Sequence, residues 1–141
     1  MKTINIEERV AKAKRLFKEE GYNCCQAVVC AFKDELGIDE EILFKAGEGF
    51  GFGMGSSHGT CGAVSGAVMA AGFKNSTANF DGPKSKADTY KLSKQILDSF
   101  EKKNGSLVCM DLKGIETGVV LRSCPGCIED AVEIVQEVLG L

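Results

Sequence analysis

The seven cysteines are the residues of this 141-residue chain whose type and spacing could do the most specific chemistry. Cys124 and Cys127 form a CPGC sequence, whereas long stretches separate Cys24, Cys61 and Cys109. Thiolates are the soft ligands that zinc and iron–sulfur clusters select, and a closely spaced dithiol can instead exchange disulfides. Cysteines can also simply fill a packed helical core. A metal centre and thiol redox chemistry are the two functional interpretations.

Three of the cysteines directly follow a residue that favours the start of a helix. These pairs are Asn23-Cys24, Thr60-Cys61 and Ser123-Cys124. Free backbone N–H groups and the helix dipole favour a thiolate at such positions. If the helix starts converge, they would stabilise clustered thiolates or a thiolate–metal centre. Cys61 is the candidate reactive thiol, and Cys124 with Cys127 is the candidate catalytic dithiol.

Glycines crowd the stretch from residue 47 to residue 59, which therefore predicts a loop rather than a helix or strand. Neither a GxxxxGK[ST] sequence nor a strand-led GxGxxG is present, which argues against a nucleotide site. We expect the loop to let backbone approach the cysteines or a flat cofactor. The candidate cofactor-binding residues are Gly51, Gly53, Gly55 and His58, the single histidine.

Hydrophobic periodicity and capping residues predict an all-α fold without βαβ alternation. The expected architecture is one domain over residues 1–141, a compact bundle of about six helices with the glycine-rich loop before the central helix. The predicted helices cover 5–20, 24–36, 40–46, a stretch capped by Thr60 and ending at 71, 84–103, a short helix from 107 to 112, and a final helix after Ser123. Residues 115–122 carry no clear pattern.

Composition and charge limit the kinds of partner and the cellular location that we expect for the protein. The net charge is −3 and 26% of residues are charged, so no basic field is available for nucleic acid or an acidic membrane surface. The first residues, MKTINIEERVAKAKRLF, lack the apolar core of a signal peptide, and no apolar run approaches the ~18 residues of a membrane span. We expect no membrane insertion and a cytoplasmic, reducing location, where a disulfide framework is disfavoured. A homodimer formed through the apolar last helix stays an open alternative.

The chain resembles the redox-active protein family known by its cysteine pattern, C_GCAxxG_C_C. The core of the resemblance is CGAVSG at 61–66, preceded by GFGFGMG. GYNCCQAV lies upstream, and SLVCMDL and CPGCIEDAVEIV lie downstream. Here the order is Cys-Gly-Ala rather than the Gly-Cys-Ala of the family name. The resemblance covers most of the chain, from about Val10 to Leu139.

The resemblance implies a small helical protein with a redox role. Carried over by position, the family's cysteines are Cys24, Cys61, Cys109 and Cys127, with Cys124 as an open alternative for the last. These four would hold an iron–sulfur cluster or zinc. Because similar proteins also occur joined to electron-transfer modules, the leading prediction is electron transfer or redox sensing, with an electron-transfer protein as partner.

Two alternative functions stay open. One is a thiol–disulfide oxidoreductase or redox sensor that uses the CPGC dithiol. The other is a non-redox helical module that binds a small molecule or a protein.

Overall fold

A computed structural model describes residues 5–141 of the chain. This part is all-α, as predicted, with six helices of seven or more residues and short helical turns between them. None of its helices is both long and apolar enough to cross a membrane. The elements are α1 (Ile6–Lys18), α2 (Cys24–Cys30), α3 (Lys33–Leu36), α4 (Glu40–Gly47), a 3-10 turn (Glu48–Phe50), α5 (Gly51–Gly55), α6 (Gly62–Asn75), α7 (Lys86–Asn104), α8 (Cys109–Lys113) and α9 (Cys124–Leu139).

Local capping sets most helix ends where the sequence predicts them. Asn23 and Gln26 form a reciprocal capping box at the start of α2, and the Ser123 side chain caps α9. Gly105 and Gly114 end α7 and α8 in the left-handed conformation that glycine adopts at little cost. These ends depend on residues a few positions apart, so the sequence suffices to predict them.

The single helix predicted over 24–36 is wrong, because α2 stops at Cys30 and α3 starts afresh after a turn at Ala31 and Phe32. The N–H of Phe32 donates to Val29 across a tight turn, 3.2 Å apart. The carbonyl of Ala31 instead accepts a hydrogen bond from the guanidinium of Arg9, at 2.7 Å. The buried Arg9 of α1 therefore binds a backbone carbonyl at the point where α2 ends and α3 has not yet begun.

The predicted start of the central helix at Thr60 is also wrong. Cys61 is the N-cap of α6, with φ −48° and ψ 132°. Thr60 forms an isolated antiparallel bridge with Val108, and the N–H of Cys61 donates to Leu107 at 2.7 Å. This extended pairing delays the helix. At its other end α6 continues past residue 71 to Asn75, whose side chain donates to Thr89 of α7 at 2.9 Å.

The glycine stretch is more ordered than the predicted loop. It contains the 3-10 turn and α5, in which Phe52, Gly53 and Met54 have φ of 52°, 56° and 63°. Together they form one turn of left-handed helix. A left-handed residue with a side chain costs roughly 1–2 kcal/mol, so the surrounding packing must hold Phe52 and Met54 in place.

Glycines on α6 bring this helix against α2 in the centre of the molecule. A Cβ at Gly66 would lie 2.7 Å from the carbonyl oxygen of Cys25, and one at Gly62 would lie 3.2 Å from the Cβ of Cys24. The approach at Gly66 leaves no room for a Cβ without a shift of backbone, and a Cβ at Gly62 would make a tight contact. The starts of α2 and α6 consequently lie side by side, and α9 packs across both helices.

Arg9 is a buried cation that ties α1 to α3 and α9. Its side chain is 1% exposed and pairs with Glu35, whose second oxygen lies 3.0 Å from Nη1. Its Nε donates to Gln136 at 3.1 Å, and the guanidinium lies 4.4 Å from the ring centroid of Phe32. The network satisfies a charge that burial alone would make costly.

Candidate functional site

Four helices bring a cysteine at their N-terminal ends to one cavity. α2, α8 and α9 begin at Cys24, Cys109 and Cys124, and Cys61 caps α6. These four and Cys127 line a cavity of about 160 Å³. The helix starts on which the sequence argument depends therefore lie together, and Cys109 adds a fourth start to the three that the sequence indicates. We call this space the thiol cavity.

The remaining walls of the thiol cavity are mainly apolar, with two cations among them. Phe17, Phe52 and Leu112 contribute the apolar surface, and Lys113 and Arg122 contribute the charges. Phe52 is half exposed, and the ammonium of Lys113 lies 5.1 Å from its ring centroid. This cation–π contact holds Lys113 and Phe52 together beside the thiols.

Backbone pairing sets Cys61 and Cys109 next to each other. On either side of the bridge between residues 60 and 108, the N–H of Cys61 donates to Leu107, and the N–H of Cys109 donates to Gly59 at 3.0 Å. Asn23 plays a similar part for α2, because its side-chain amide donates to the carbonyl of Glu48 at 3.0 Å. The glycine stretch is thereby attached to two cysteine-bearing helix starts.

Cys24 and Cys124 form the first thiol pair. Both thiols line the cavity close enough to shift each other's pKa, and both residues are half-buried. The interaction with the Cys24 thiol lowers the pKa of Cys124 to about 6, and Lys113 reinforces the shift against the opposing effect of burial. The same interaction, together with burial, raises the pKa of Cys24 well above its ordinary value. Cys124, at the start of α9 beside Lys113, is therefore the sulfur of the pair at which a thiolate is favoured.

Cys61 and Cys127 form the second pair, which is deeper: they are 5% and 2% exposed. The interaction with the Cys127 thiol lowers the pKa of Cys61 against the effect of burial, and the N–H groups of Ala63 and Val64 at the start of α6 act in the same direction. The pKa of Cys127 is raised by its interaction with Cys61 and by burial. The helix start thus favours the Cys61 thiolate, as its position in the sequence predicts.

The other cysteines belong to neither pair. Cys109 lines the cavity, and burial followed by the charge of Cys61 raises its pKa. Cys25 and Cys30 lie wholly buried in α2 and are not among the residues that line the cavity. Burial raises their pKa values to about 12 and about 11.

The glycine-stretch candidates have different positions. Gly51 packs on Asn23, where a Cβ would lie 2.5 Å from the side-chain amide nitrogen, and Gly53 packs on Cys109, with its own Cβ position 2.5 Å from that of the cysteine. Gly55 and His58 are exposed, and the N–H of His58 donates to the Ser56 hydroxyl at 3.3 Å. Two of the four candidates therefore support the thiol cavity directly by close backbone approach.

Asp130 is a buried carboxylate that binds Arg122, one of the residues lining the thiol cavity. Its side chain is fully buried and accepts hydrogen bonds from Asn104 at 3.0 Å and from two positions of Arg122, at 3.0 and 3.1 Å, besides pairing with Lys103. Burial alone would raise the pKa of Asp130, but these donors outweigh it and lower the pKa below its ordinary value. The backbone carbonyl of Arg122 in turn faces the sulfur of Cys127, 3.9 Å away.

Comparison with protein families decides the class. A family model described as "Putative redox-active protein (C_GCAxxG_C_C)" matches residues 22–138. The chain belongs to this family. No curated protein and no solved structure matches it. The family description makes redox activity the general function of this C_GCAxxG_C_C protein. The cavity thiols are groups that can undergo redox chemistry.

The predicted metal ligands of this C_GCAxxG_C_C protein share one cavity. Cys24, Cys61, Cys109 and Cys127 all line it, together with Cys124. Within residues 5–141, no group of three or more His, Cys, Asp or Glu side chains has the arrangement of a metal site. The donors suit a soft metal in kind. In this structure, however, four of the thiols fall into two pairs whose members shift each other's pKa.

Lys113, Arg122 and Asp130 are site residues that the sequence does not single out. Lys113 ends a short helix like many surface lysines, and Asp130 occurs in an amphipathic helix with other acids. The burial of Asp130 would mark it as a site residue, but that burial depends on packing against α7 and Arg122 and is not visible in the sequence. These three residues can therefore be assigned to the site from the tertiary structure alone.

Proposed function

We propose that this protein is a thiol redox protein in which two cysteine pairs, Cys24 with Cys124 and Cys61 with Cys127, alternate between dithiol and disulfide states. Its oxidant is a disulfide carried by another protein or by a small molecule. The observation that carries the proposal is that helices distant in sequence bring these four cysteines to one cavity, where the thiols of each pair lie close enough to shift each other's pKa. Disulfide formation requires two sulfurs brought together in this way.

Disulfide exchange begins at the more exposed pair. The Cys124 thiolate attacks one sulfur of the partner disulfide, so that a mixed disulfide forms and the other partner sulfur leaves as a thiolate. Cys24 then attacks the sulfur of Cys124, gives up its proton and displaces the second partner thiolate. The protein gains one disulfide and loses two electrons, and the partner gains both electrons. Lys113 stabilises the attacking thiolate of Cys124.

The CPGC sequence alone indicates a dithiol of Cys124 and Cys127, which would leave Cys24 without a role. The structure supports a different pairing, because the largest effect on the pKa of each CPGC thiol comes from a cysteine of another helix. Pairing across helices gives four of the five cavity cysteines a place in the chemistry.

The test is disulfide mapping by mass spectrometry after equilibration, without oxygen, in buffers of oxidised and reduced glutathione. We expect two reversible disulfides, Cys24–Cys124 and Cys61–Cys127. Cys30→Ala is the matched control, because Cys30 is buried outside the cavity, and it should leave both disulfides in place. A map in which Cys124–Cys127 is the single stable disulfide, or in which no disulfide forms reversibly, would refute the proposed pairing.

A four-cysteine metal centre is the second candidate function, favoured by the presence of all four predicted ligands in the same cavity. Four ligands would come from Cys24, Cys61, Cys109 and Cys127. Zinc bound there would stabilise the fold, and an iron–sulfur cluster would supply one-electron redox chemistry. Forming it requires the two thiol pairs to separate and Cys109 to join them.

Protein prepared without oxygen, with iron and sulfide or with zinc, tests this second function. A metal centre predicts thiolate-to-iron absorption with bound iron, or about one zinc per chain. Serine at each of the four predicted ligands should weaken binding, and serine at Cys25 or Cys30 should not. No binding under these preparations, or loss of metal in the Cys124 and Cys127 variants alone, would exclude this ligand set.

A further inference from the structure

The two thiol pairs differ in access, which raises the question of how the inner pair is oxidised. Cys24 and Cys124 are half-buried, whereas Cys61 is 5% and Cys127 2% exposed. A partner disulfide must bring its sulfur in line with the attacking thiolate, so access limits exchange as much as reactivity does. A bulky partner reaches the outer pair and is kept from the inner one.

Resting on the thiol redox function proposed above, we infer that the CPGC cysteines relay the disulfide from the outer pair to the inner pair through a transient Cys124–Cys127 bond. Cys124 belongs to the outer pair and Cys127 to the inner pair, and both lie in the first turn of α9. Residues three apart on a helix have Cβ atoms about 5–6 Å apart. The two Cβ atoms of a disulfide lie about 3.5–4.5 Å apart, so a small adjustment of this turn is enough to join Cys124 and Cys127.

The relay needs no outside oxidant. Starting from the Cys24–Cys124 disulfide, the sulfur of Cys127 attacks Cys124, the new bond forms, and Cys24 leaves and takes up the proton that Cys127 releases. Cys61 then attacks the sulfur of Cys127, and Cys124 leaves as a thiolate. The inner pair has lost two electrons and the outer pair has regained them. The outer pair is then reduced again and can accept a second disulfide, so the protein holds two disulfides in all.

The experiment follows the order in which disulfides form. Reduced protein is mixed without oxygen with oxidised glutathione, which must enter at the accessible thiols, and is quenched with acid at successive times for disulfide mapping. In the unmodified protein we expect Cys24–Cys124 first, a minor Cys124–Cys127 species next, and Cys61–Cys127 last. Appearance of Cys61–Cys127 before or together with Cys24–Cys124 would overturn the relay.

Two variants that remove the same outer pair separate the relay from independent oxidation. Cys124→Ser removes the entry point and should slow formation of Cys61–Cys127 at least tenfold. Cys24→Ser leaves a mixed disulfide on Cys124 that Cys127 can resolve, so Cys61–Cys127 should still form, within about threefold of the original rate. Equal rates in the two variants would overturn the relay.

Failure of the relay and failure of the proposed function give different results. If Cys24–Cys124 forms reversibly while the inner pair oxidises independently of Cys124, only the relay fails. If neither pair forms a reversible disulfide in the unmodified protein, the proposed function fails and the relay fails with it.

Discussion

Gly53→Ala tests whether the left-handed turn of the glycine stretch positions Cys109. Gly53 has φ +56°, and a Cβ there would lie 2.5 Å from the Cβ of Cys109 and 2.9 Å from the carbonyl oxygen of Gly59. The left-handed conformation costs alanine roughly 1–2 kcal/mol. Alanine has less conformational freedom than glycine in the unfolded chain, which offsets about 0.4–1 kcal/mol of this cost. Overpacking against atoms that cannot move aside adds about 1–3 kcal/mol. The expected net loss of stability is about 1–5 kcal/mol.

Gly55→Ala is the matched control, because Gly55 has φ +74° but no atom within 4 Å of its Cβ position. It should cost about 0–1.5 kcal/mol, the conformational part alone. Both losses are measured by thermal and urea unfolding followed by circular dichroism, at roughly 3 °C per kcal/mol for a chain of this size. Gly53→Ala should also change the rate at which Cys109 reacts with a maleimide. If the two variants lose equal stability and the Cys109 rate is unchanged, the close approach at Gly53 does not position the cysteine.

The remaining predictions concern a thiolate and two buried charges. The alkylation rate of Cys124 by iodoacetamide should rise with pH around a midpoint of about 6, and Lys113→Met should move that midpoint upward; an unchanged midpoint would remove Lys113 from the site. Because donors lower the pKa of Asp130, the stability it contributes is present above about pH 4 and is lost as pH falls further. Asp130→Asn should therefore flatten the acid-side fall in urea stability, and an unaltered fall would contradict this. Arg9→Met should cost about 3 kcal/mol in urea unfolding, since it removes the partner of Glu35, and a cost below about 1 kcal/mol would show that the pair is not needed.

Helix ends illustrate what local patterns can and cannot predict. The capping box of Asn23 and Gln26 joins residues three apart, so the sequence alone predicts it. The break after Cys30 occurs beside a carbonyl bonded by Arg9, which comes from another helix. The start of α6 is delayed by pairing with residues near 108. Periodicity cannot register contacts between segments so far apart in the chain.

The thiol pairs show the same division more sharply. The spacing of CPGC favours Cys124 with Cys127, because these two are the nearest in sequence. In the folded chain, glycines at 62 and 66 bring α6 against α2, and the start of α9 lines the same cavity as the starts of both helices. Each CPGC thiol therefore interacts most strongly with a cysteine of a different helix. Proximity along the chain is a poor guide once three helix starts converge.

By itself the sequence determined the helical class, most of the helix ends and the placement of cysteines at helix starts, because all of these depend on residues within one or two turns of each other. It also carried the family pattern. Only the tertiary structure decided which sulfurs meet, which pair is shielded, and that Lys113 and a buried Asp130 belong to the site. These features depend on the packing of helices distant in sequence, where a few glycines set how closely two backbones can approach.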